Sequence, residues 1–307
     1  MKLSVRAHLA LFFITLLWGL TFPLIKDALG SISPSLFVVL RTSVASLILL
    51  PVIFLQRKKT TFTMIKWTLV LGFFQSATYV FQSIGLESIS SADSAFITAL
   101  SVVVVPFLAL IFLKSKPRWF DFVTALLCLG GIFILTGANI FNMKGGDFWT
   151  LGCAVAYALY IVTLQAFSKK LKAEDTILAL SYQILFSLIF PLLTAFYKTT
   201  ASIFSWPVII AVLFCAIFAT GLVFYLQLRY QRYIPVSRAV LIYAFEPIFA
   251  ALFGYLLNGE AIYLNTVIGG FLILVSFVLS ELFPSKKSSQ DNNPLSETYA
   301  SESKSRF

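Results

Sequence analysis

The stretch at 237–260, SRAVLIYAFEPIFAALFGYLLNGE, is apolar enough to cross a membrane, yet it carries Glu246 and Pro247 near its middle. A carboxylate at bilayer depth costs about 2.5–3.5 kcal/mol on insertion scales, so Glu246 is expected to face a partner or a water-filled cavity rather than lipid. Pro247 removes one helical N–H and opposes a straight helix there, and the carbonyl it frees must find a partner inside the protein. A charged, kinked position at mid-membrane suits a solute pathway: the carboxylate can hold a cationic group or carry a coupling proton. It also suits one half of a buried structural ion pair. Arg41, about one and a half turns inside another apolar run and near its external end, poses the matching question. Its guanidinium can snorkel, pair with a carboxylate, or hold an anionic group.

Polar and aromatic residues at helical spacing extend the set. Gln75, Tyr79 and Gln82 stand at i, i+4 and i+7 and so share one helical face; such a stripe points at a cavity or hydrogen-bonds another helix. Trp18 lies mid-run beside Gly19, Thr21 and Phe22, and Tyr157 and Tyr160 lie in a later run. These rings can line an amphipathic pocket or simply pack. With Gln227 and Tyr243 they complete the candidate substrate-binding residues: Trp18, Arg41, Gln75, Tyr79, Gln82, Tyr157, Tyr160, Gln227, Tyr243 and Glu246. Pro23, Pro106 and Pro247 are the candidate hinges, with Pro51 and Pro191 as further intramembrane prolines.

No catalytic set accompanies them. The chain has no HExxH, P-loop or GxSxG sequence, and its one histidine, His8, is expected at the membrane edge. Cys128, Cys153 and Cys215 fall inside apolar runs without metal-ligand spacing and read as small buried hydrophobes. No metal, no cofactor and no enzymatic activity are expected, and direct ATP drive would need a partner subunit.

The elements that must position these residues are membrane helices. Of 307 residues, 59% are hydrophobic and 12% charged, with a mean hydropathy of +0.91; a soluble chain of this length could not hide so much apolar surface. Spans of about 20 apolar residues fall at about 7–26, 36–56, 67–86, 93–113, 119–139, 148–167, 176–197, 206–226, 237–257 and 262–283. The runs are continuous rather than alternating, which excludes a β-barrel. The first run continues through WGLTFPLIK without a small-residue cleavage site and reads as a retained helix, not a signal peptide.

The net charge of +10 belongs to loops, not to a nucleic-acid surface. Counted on alternate sides of the spans, Lys and Arg divide 19 against 3, with Arg41 left inside a span. The poor side holds Lys26, Lys144 and Lys198. The positive-inside rule then places both termini in the cytoplasm, in agreement with an even number of spans. The tail at 284–307, rich in Ser, Asn, Lys and Glu, is expected to be disordered.

The chain is written twice. YVFQ at 79–82 recurs as FYLQ at 224–227, and the offset of 145 sets Ile89 on Ile234, Asp93 on Arg238, Ile97 on Ile242 and Ala99 on Ala244. LLPVIFL at 49–55 likewise matches IFPLLTA at 189–195. Five spans per half is odd, so the second half enters from the opposite side and the repeat is inverted. The charge reversal between the acidic 87–93 loop and the basic 229–238 loop agrees. Inverted repeats suit carriers that alternate access better than enzymes or scaffolds.

These sequences resemble the drug/metabolite transporter superfamily, in its two-EamA-domain branch, over nearly the whole chain to about residue 283. The resemblance rests on LLWGLTFPLIKDAL (16–29), SPSLFVVLRTSVASLILL (33–50), SSADSAFITALSVVVVPFLALIF (90–112), LGGIFILTG (129–137), GDFWTLGCAVAYALYIV (146–162) and, most specifically, QRYIPVSRAVLIYAFEPIFAALFGYLLNGE (231–260). One departure is visible: the fourth span ends in LKSKP, without the pair found at Gly259-Glu260. The resemblance implies an all-α polytopic membrane protein of ten transmembrane helices, arranged as two inverted five-helix repeats with cytoplasmic termini. The expected division is a first half at 1–141, a second at 145–283 and a cytoplasmic tail at 284–307. The implied activity is secondary-active or facilitative carriage of a small, amino-acid-like metabolite across a bacterial inner membrane, with export favoured by family tendency. The partners are then the substrate and the bilayer, with protons as the candidate coupling ion and no nucleic acid. The alternatives are uptake or exchange of a larger nucleoside-like or sulfonium compound and, in a different class, a membrane enzyme or scaffold.

Overall fold

The computed structural model describes residues 3–89, 91–114, 119–136, 145–194, 205–259 and 261–283. The tail at 284–307, Glu260, and the loop cations Lys116, Arg118, Lys144 and Lys198 lie outside the described residues. All regular structure among the described residues is helical. In chain order the elements are α1 (Leu3–Leu29), α2 (Pro34–Gln56), α3 (Phe62–Leu86), α4 (Ser91–Ala99, then Ser101–Phe112), α5 (Trp119–Thr136) and α6 (Gly145–Ser168). They continue with α7 (Thr176–Phe186, then Ile189–Thr194), α8 (Trp206–Ala216, a π-helical turn Ile217–Leu222, then Val223–Tyr230), α9 (Val236–Tyr243, then Glu246–Asn258) and α10 (Leu264–Leu282).

Nine of these elements are long and apolar enough to span a membrane among the described residues; α5 supplies a shorter apolar helix, Trp119–Ile134, where the fifth span is expected. Local signals explain several boundaries. Pro34 opens α2 in the first turn, where its missing N–H costs nothing. The Thr61 side chain accepts from Met64 N at 3.2 Å and caps α3. Gly259, at φ 65°, ends α9 in the left-handed conformation that glycine adopts without a Cβ clash.

Large apolar side chains stand exposed along the outer helices, among them Leu47 and Leu55 on α2, Leu126 on α5 and Phe271 on α10. Patches of this kind are lipid-facing in a membrane protein. The chain is an integral membrane protein. Cys128, Cys153 and Cys215 are free and buried. His8 is not merely interfacial: its Nε2 lies 3.4 Å from Glu281 Oε1, and Arg238 Nη1 lies 3.5 Å from Glu281 Oε2. That cluster ties the start of α1 to the start of α9 and the end of α10.

The packing is paired. α3 packs on α6, and α8 on α1; α1 packs on α9, and α6 on α4; α3 packs on α7, and α8 on α2. α2 meets α7, α4 meets α9, and α5 meets α10. Each contact maps onto another, or onto itself, when every helix is exchanged for the one five places along. The first segment of α4 touches the second of α9, and the second of α4 touches the first of α9, so the two broken helices run antiparallel. Phe120 at the start of α5 meets Phe283 just beyond α10, with ring centroids 5.0 Å apart, so that pair is antiparallel as well.

The helix breaks do not fall on the candidate hinge prolines themselves. α9 breaks before Glu246, upstream of Pro247, which falls in the first turn of the second segment. α4 breaks at Leu100, six residues before Pro106, which lies inside a helical segment. Both second segments begin 145 residues apart, at Ser101 and Glu246, and so do both helices, at Ser91 and Val236. Since Val102 stands where the second half has Pro247, proline alone does not cause the break. Pro23 lies inside the uninterrupted α1.

Close approach of α1 and α9 needs glycine at position 19. A Cβ there would run into Phe249 Cβ and come within 2.9 Å of Ala250 N, whereas a Cβ at Gly130 would meet nothing within 4 Å. Overpacking of this kind costs about 1–3 kcal/mol. Gly19→Leu is therefore expected to lower the melting temperature of the purified protein, while Gly130→Ala leaves it unchanged or raises it. Equal melting temperatures for the two variants would contradict the close approach.

Candidate functional site

Segments of α1, α2, α3, α4, α6, α8 and α9 line a narrow, partly open cavity of about 30 Å³. Trp18, Thr21, Arg41, Gln75, Thr78, Tyr79, Gln82, Thr98, Tyr157, Tyr160, Phe224 and Glu246 line it. Eight of the ten residues singled out from the sequence therefore meet in one place. The other two stand behind the wall. Gln227 is fully buried and accepts from the Tyr160 hydroxyl at 3.2 Å. Tyr243 donates its hydroxyl to Gln231 Oε1 at 2.8 Å.

Each polar group reaches the cavity for a local reason. On α3, Thr78 joins Gln75, Tyr79 and Gln82 to complete an i, i+3, i+4, i+7 stripe. Glu246 opens the second segment of α9; the break projects its side chain inward, and it is 9% exposed. Among the described residues no cation forms an ion pair with it, and no side chain donates a hydrogen bond to it.

Arg41 is 2% exposed, and its shallow position in α2 does not bring it to the membrane surface. The carboxylate partner that one reading expected is absent among the described residues. Instead its guanidinium carbon lies 3.8 Å from the centroid of the Tyr79 ring, a cation–π geometry, and Nη2 donates to Thr220 Oγ1 at 3.0 Å. Nε has no hydrogen-bond partner.

Thr220 lies in the π-helical turn of α8, a device often found at functional sites. The same turn presents the Ala219 carbonyl, which accepts from the Tyr79 hydroxyl at 3.3 Å and from Trp18 Nε1 at 3.4 Å. Behind the wall, on α7, Gln183 Nε2 donates to Gln75 Oε1 at 2.6 Å and to the Tyr160 hydroxyl at 3.2 Å. Gln75 and Thr220 are 145 residues apart, so α2 reaches α8, and α7 reaches α3, at equivalent positions of the two halves.

Gln75 Nε2 and the Tyr157 hydroxyl, like Arg41 Nε, are buried without a hydrogen-bond partner among the described residues. Most buried polar atoms in folded proteins have one. A polar solute that accepts from the guanidinium and the amide and donates to Glu246 would meet these needs.

Rings close the remaining walls. Trp18 meets Tyr157 edge-on at 5.7 Å and Tyr243 at 5.6 Å, and Tyr160 meets Phe224 at 5.4 Å. Of the lining residues, sequence reasoning missed Thr21, Thr78, Thr98 and Phe224, and behind them Thr220 and Gln183. Gln183 was the most findable, as a lone amide in the apolar run TILALSYQILF of α7; nothing in sequence marks one threonine among many as wall-forming. No group of His, Cys, Asp and Glu among the described residues is placed to hold a metal ion.

A family model described as EamA-like transporter family matches residues 5–137 and again 144–282. A curated relative from Archaeoglobus fulgidus, described as an uncharacterized transporter, is 31% identical over 276 residues, covering 90% of this chain and 86% of that protein. The uncharacterized transporter YoaV of Bacillus subtilis is 23% identical over 88% of this chain and 94% of its own. A solved crystal structure, 18% identical, shares the fold with a TM-score of 0.70 over 91% of this chain and 97% of that one.

The Gln183–Gln75 bond gives a structural test of the wall. Gln183→Leu leaves the Gln75 carbonyl buried without a donor, at a cost of about 1–3 kcal/mol. The double variant with Gln75→Leu is expected to recover much of that loss. Additive losses in melting temperature would show that the two amides do not interact.

Proposed function

We propose that this chain, which belongs to the EamA-like transporter family, is a ten-helix carrier that binds a small zwitterionic, amino-acid-like metabolite in the central cavity and moves it by alternating access. The observation that carries the reading is the cavity's charge pattern. Arg41 and Glu246 line the same space, are not paired with each other, and have no other ionic partner among the described residues. A buried charge without a counter-charge is costly, and a solute with a carboxylate and an ammonium group would satisfy both at once. The aromatic walls would receive its side chain.

The proposed architecture is two inverted five-helix halves, about 1–141 and 145–283, with α5 as the fifth crossing. Its support is the double family match, the self-mapping helix contacts, the breaks at a 145-residue interval, and the antiparallel run of α4 against α9. Two halves related by an axis along the membrane normal would keep equivalent helices parallel. The proposed location is a bacterial inner membrane with cytoplasmic termini, on the charge bias, and the proposed direction is export, on family tendency. A cysteine placed at Lys58 is then expected to react with an impermeant reagent from the cytoplasmic side alone; labelling from outside intact cells overturns the orientation.

A second reading has an observation in its favour. Trp18, Tyr157 and Glu246 together also suit a sulfonium or other organic cation, and such a solute has less use for Arg41. Flux into proteoliposomes separates the two. For a zwitterion, the parent amino acid is carried, while its methyl ester and its decarboxylated amine compete weakly. Arg41→Ala and Glu246→Gln each lower affinity by about 10–100-fold, the worth of a charge-assisted hydrogen bond. If the amine competes as well as the parent and Arg41→Ala keeps affinity, the cation reading replaces the zwitterion. If Glu246 carries a coupling proton, Glu246→Gln abolishes the dependence of flux on a pH gradient while binding persists. Unchanged flux and unchanged melting temperature in both variants would remove the cavity from the transport path.

A further inference from the structure

Two side chains outside the cavity make equivalent contacts near opposite ends of the molecule. Near the end of α1, Lys26 Nζ donates to the Ile89 carbonyl, in the short link between α3 and α4. Near the end of α6, Gln165 Nε2 donates to the Ile234 carbonyl at 3.3 Å, in the short link between α8 and α9. The acceptors Ile89 and Ile234 are 145 residues apart, and each stands two residues before the helix that follows. The donors are 139 residues apart, the same interval that separates Trp18 from Tyr157, whose rings meet at the cavity. One relation between the halves therefore produces both contacts. Since successive spans cross in alternate directions, the ends of α1 and α6 lie at opposite faces.

We propose that Lys26–Ile89 and Gln165–Ile234 are the two latches of the carrier, each of which must open for the cavity to reach its own face. The inference rests on the alternating-access reading and adds to it the residues that hold each end shut. Both contacts are made in this structure.

The latches are equivalent in place and unequal in chemistry. Lys26 supplies a charged donor, and a charge-assisted bond is about twice as strong as a neutral one. Gln165 is neutral but braced: Gln231 Nε2 donates to Gln165 Oε1 at 3.3 Å and to the Ile161 carbonyl at 3.1 Å, and Tyr243 donates to Gln231 Oε1 at 2.8 Å. The Tyr243 ring packs 5.6 Å from Trp18 at the cavity wall. A solute that shifts these rings therefore acts on the Gln165 latch through one hydroxyl and one amide.

The test reads access to the cavity from each side. A single cysteine is introduced as Thr21→Cys, at the cavity wall, in a chain whose three native cysteines are replaced by alanine. Labelling by an impermeant thiol reagent is followed in right-side-out and inside-out vesicles. Lys26→Met is expected to raise labelling from the Ile89 face about fivefold to tenfold, and Gln165→Leu to raise it from the Ile234 face about threefold to fivefold. Tyr243→Phe, which removes a single hydroxyl, shifts labelling in the direction of Gln165→Leu. Lys26→Arg labels as the parent does; if Lys26→Met does not fold, Lys26→Gln is expected to shift labelling toward the same face by a smaller factor. Shifts toward the same face for the Lys26 and Gln165 variants, or no shift in either, overturn the proposal. Flux into proteoliposomes, measured alongside, reports on the carrier reading separately: a parent protein with flux but no shift in its variants loses the latches alone.

Discussion

Two ionisable side chains, Arg41 and Glu246, are buried on the walls of one cavity and do not pair with each other. The surrounding structure follows from the cost of keeping them there. Lipid cannot solvate either charge, so the helices that carry them must turn inward and supply neutral partners. For Arg41 these are the face of Tyr79 and the hydroxyl of Thr220. Neither cancels the charge, which leaves it available to a solute in a way that a carboxylate partner would not.

Irregular backbone does much of the positioning. The π-helical turn of α8, which adds a residue to one turn, offers the Thr220 hydroxyl to Arg41 and the Ala219 carbonyl to Tyr79 and Trp18. The break in α9 places Glu246 at the start of a helical segment. Its equivalent in α4 places Ser101 at the matching point. Non-helical backbone at membrane depth is tolerated where it is enclosed by protein or lines a cavity. Here the breaks face one another across antiparallel helices, so each is covered by the other.

The two halves share this frame and differ in what they hang on it. Arg41 bonded to Thr220 in one arrangement faces Gln183 bonded to Gln75 in the other. The pairing is conserved in geometry between the halves, but one donor is charged and the other is not. A carrier built from two identical halves would bind its solute in two equivalent ways. The side chains therefore distinguish the two halves at this point.

Much of this was legible in the order of residues alone. Apolar runs of membrane-spanning length locate the helices, because hydrocarbon admits no unsatisfied backbone. Polar residues inside those runs mark the site, because lipid admits them so poorly; eight of the ten candidates line the cavity for that reason. Thr98 and Thr220 escaped notice because a threonine can bond its own helix and carries no such penalty. The break in α4 at Leu100 was equally silent, having no proline to announce it. Periodicity determines which face of a helix a residue occupies, and composition determines that the helix is in the membrane. Only the tertiary structure decided that Arg41 lies against Tyr79 with no carboxylate partner among the described residues, that Tyr243 points away from the cavity to Gln231, and that Lys26 reaches the Ile89 carbonyl. Those outcomes depend on distances between helices far apart in the chain, and such distances are set by close approaches like that of Gly19 to Ala250, which no local pattern encodes.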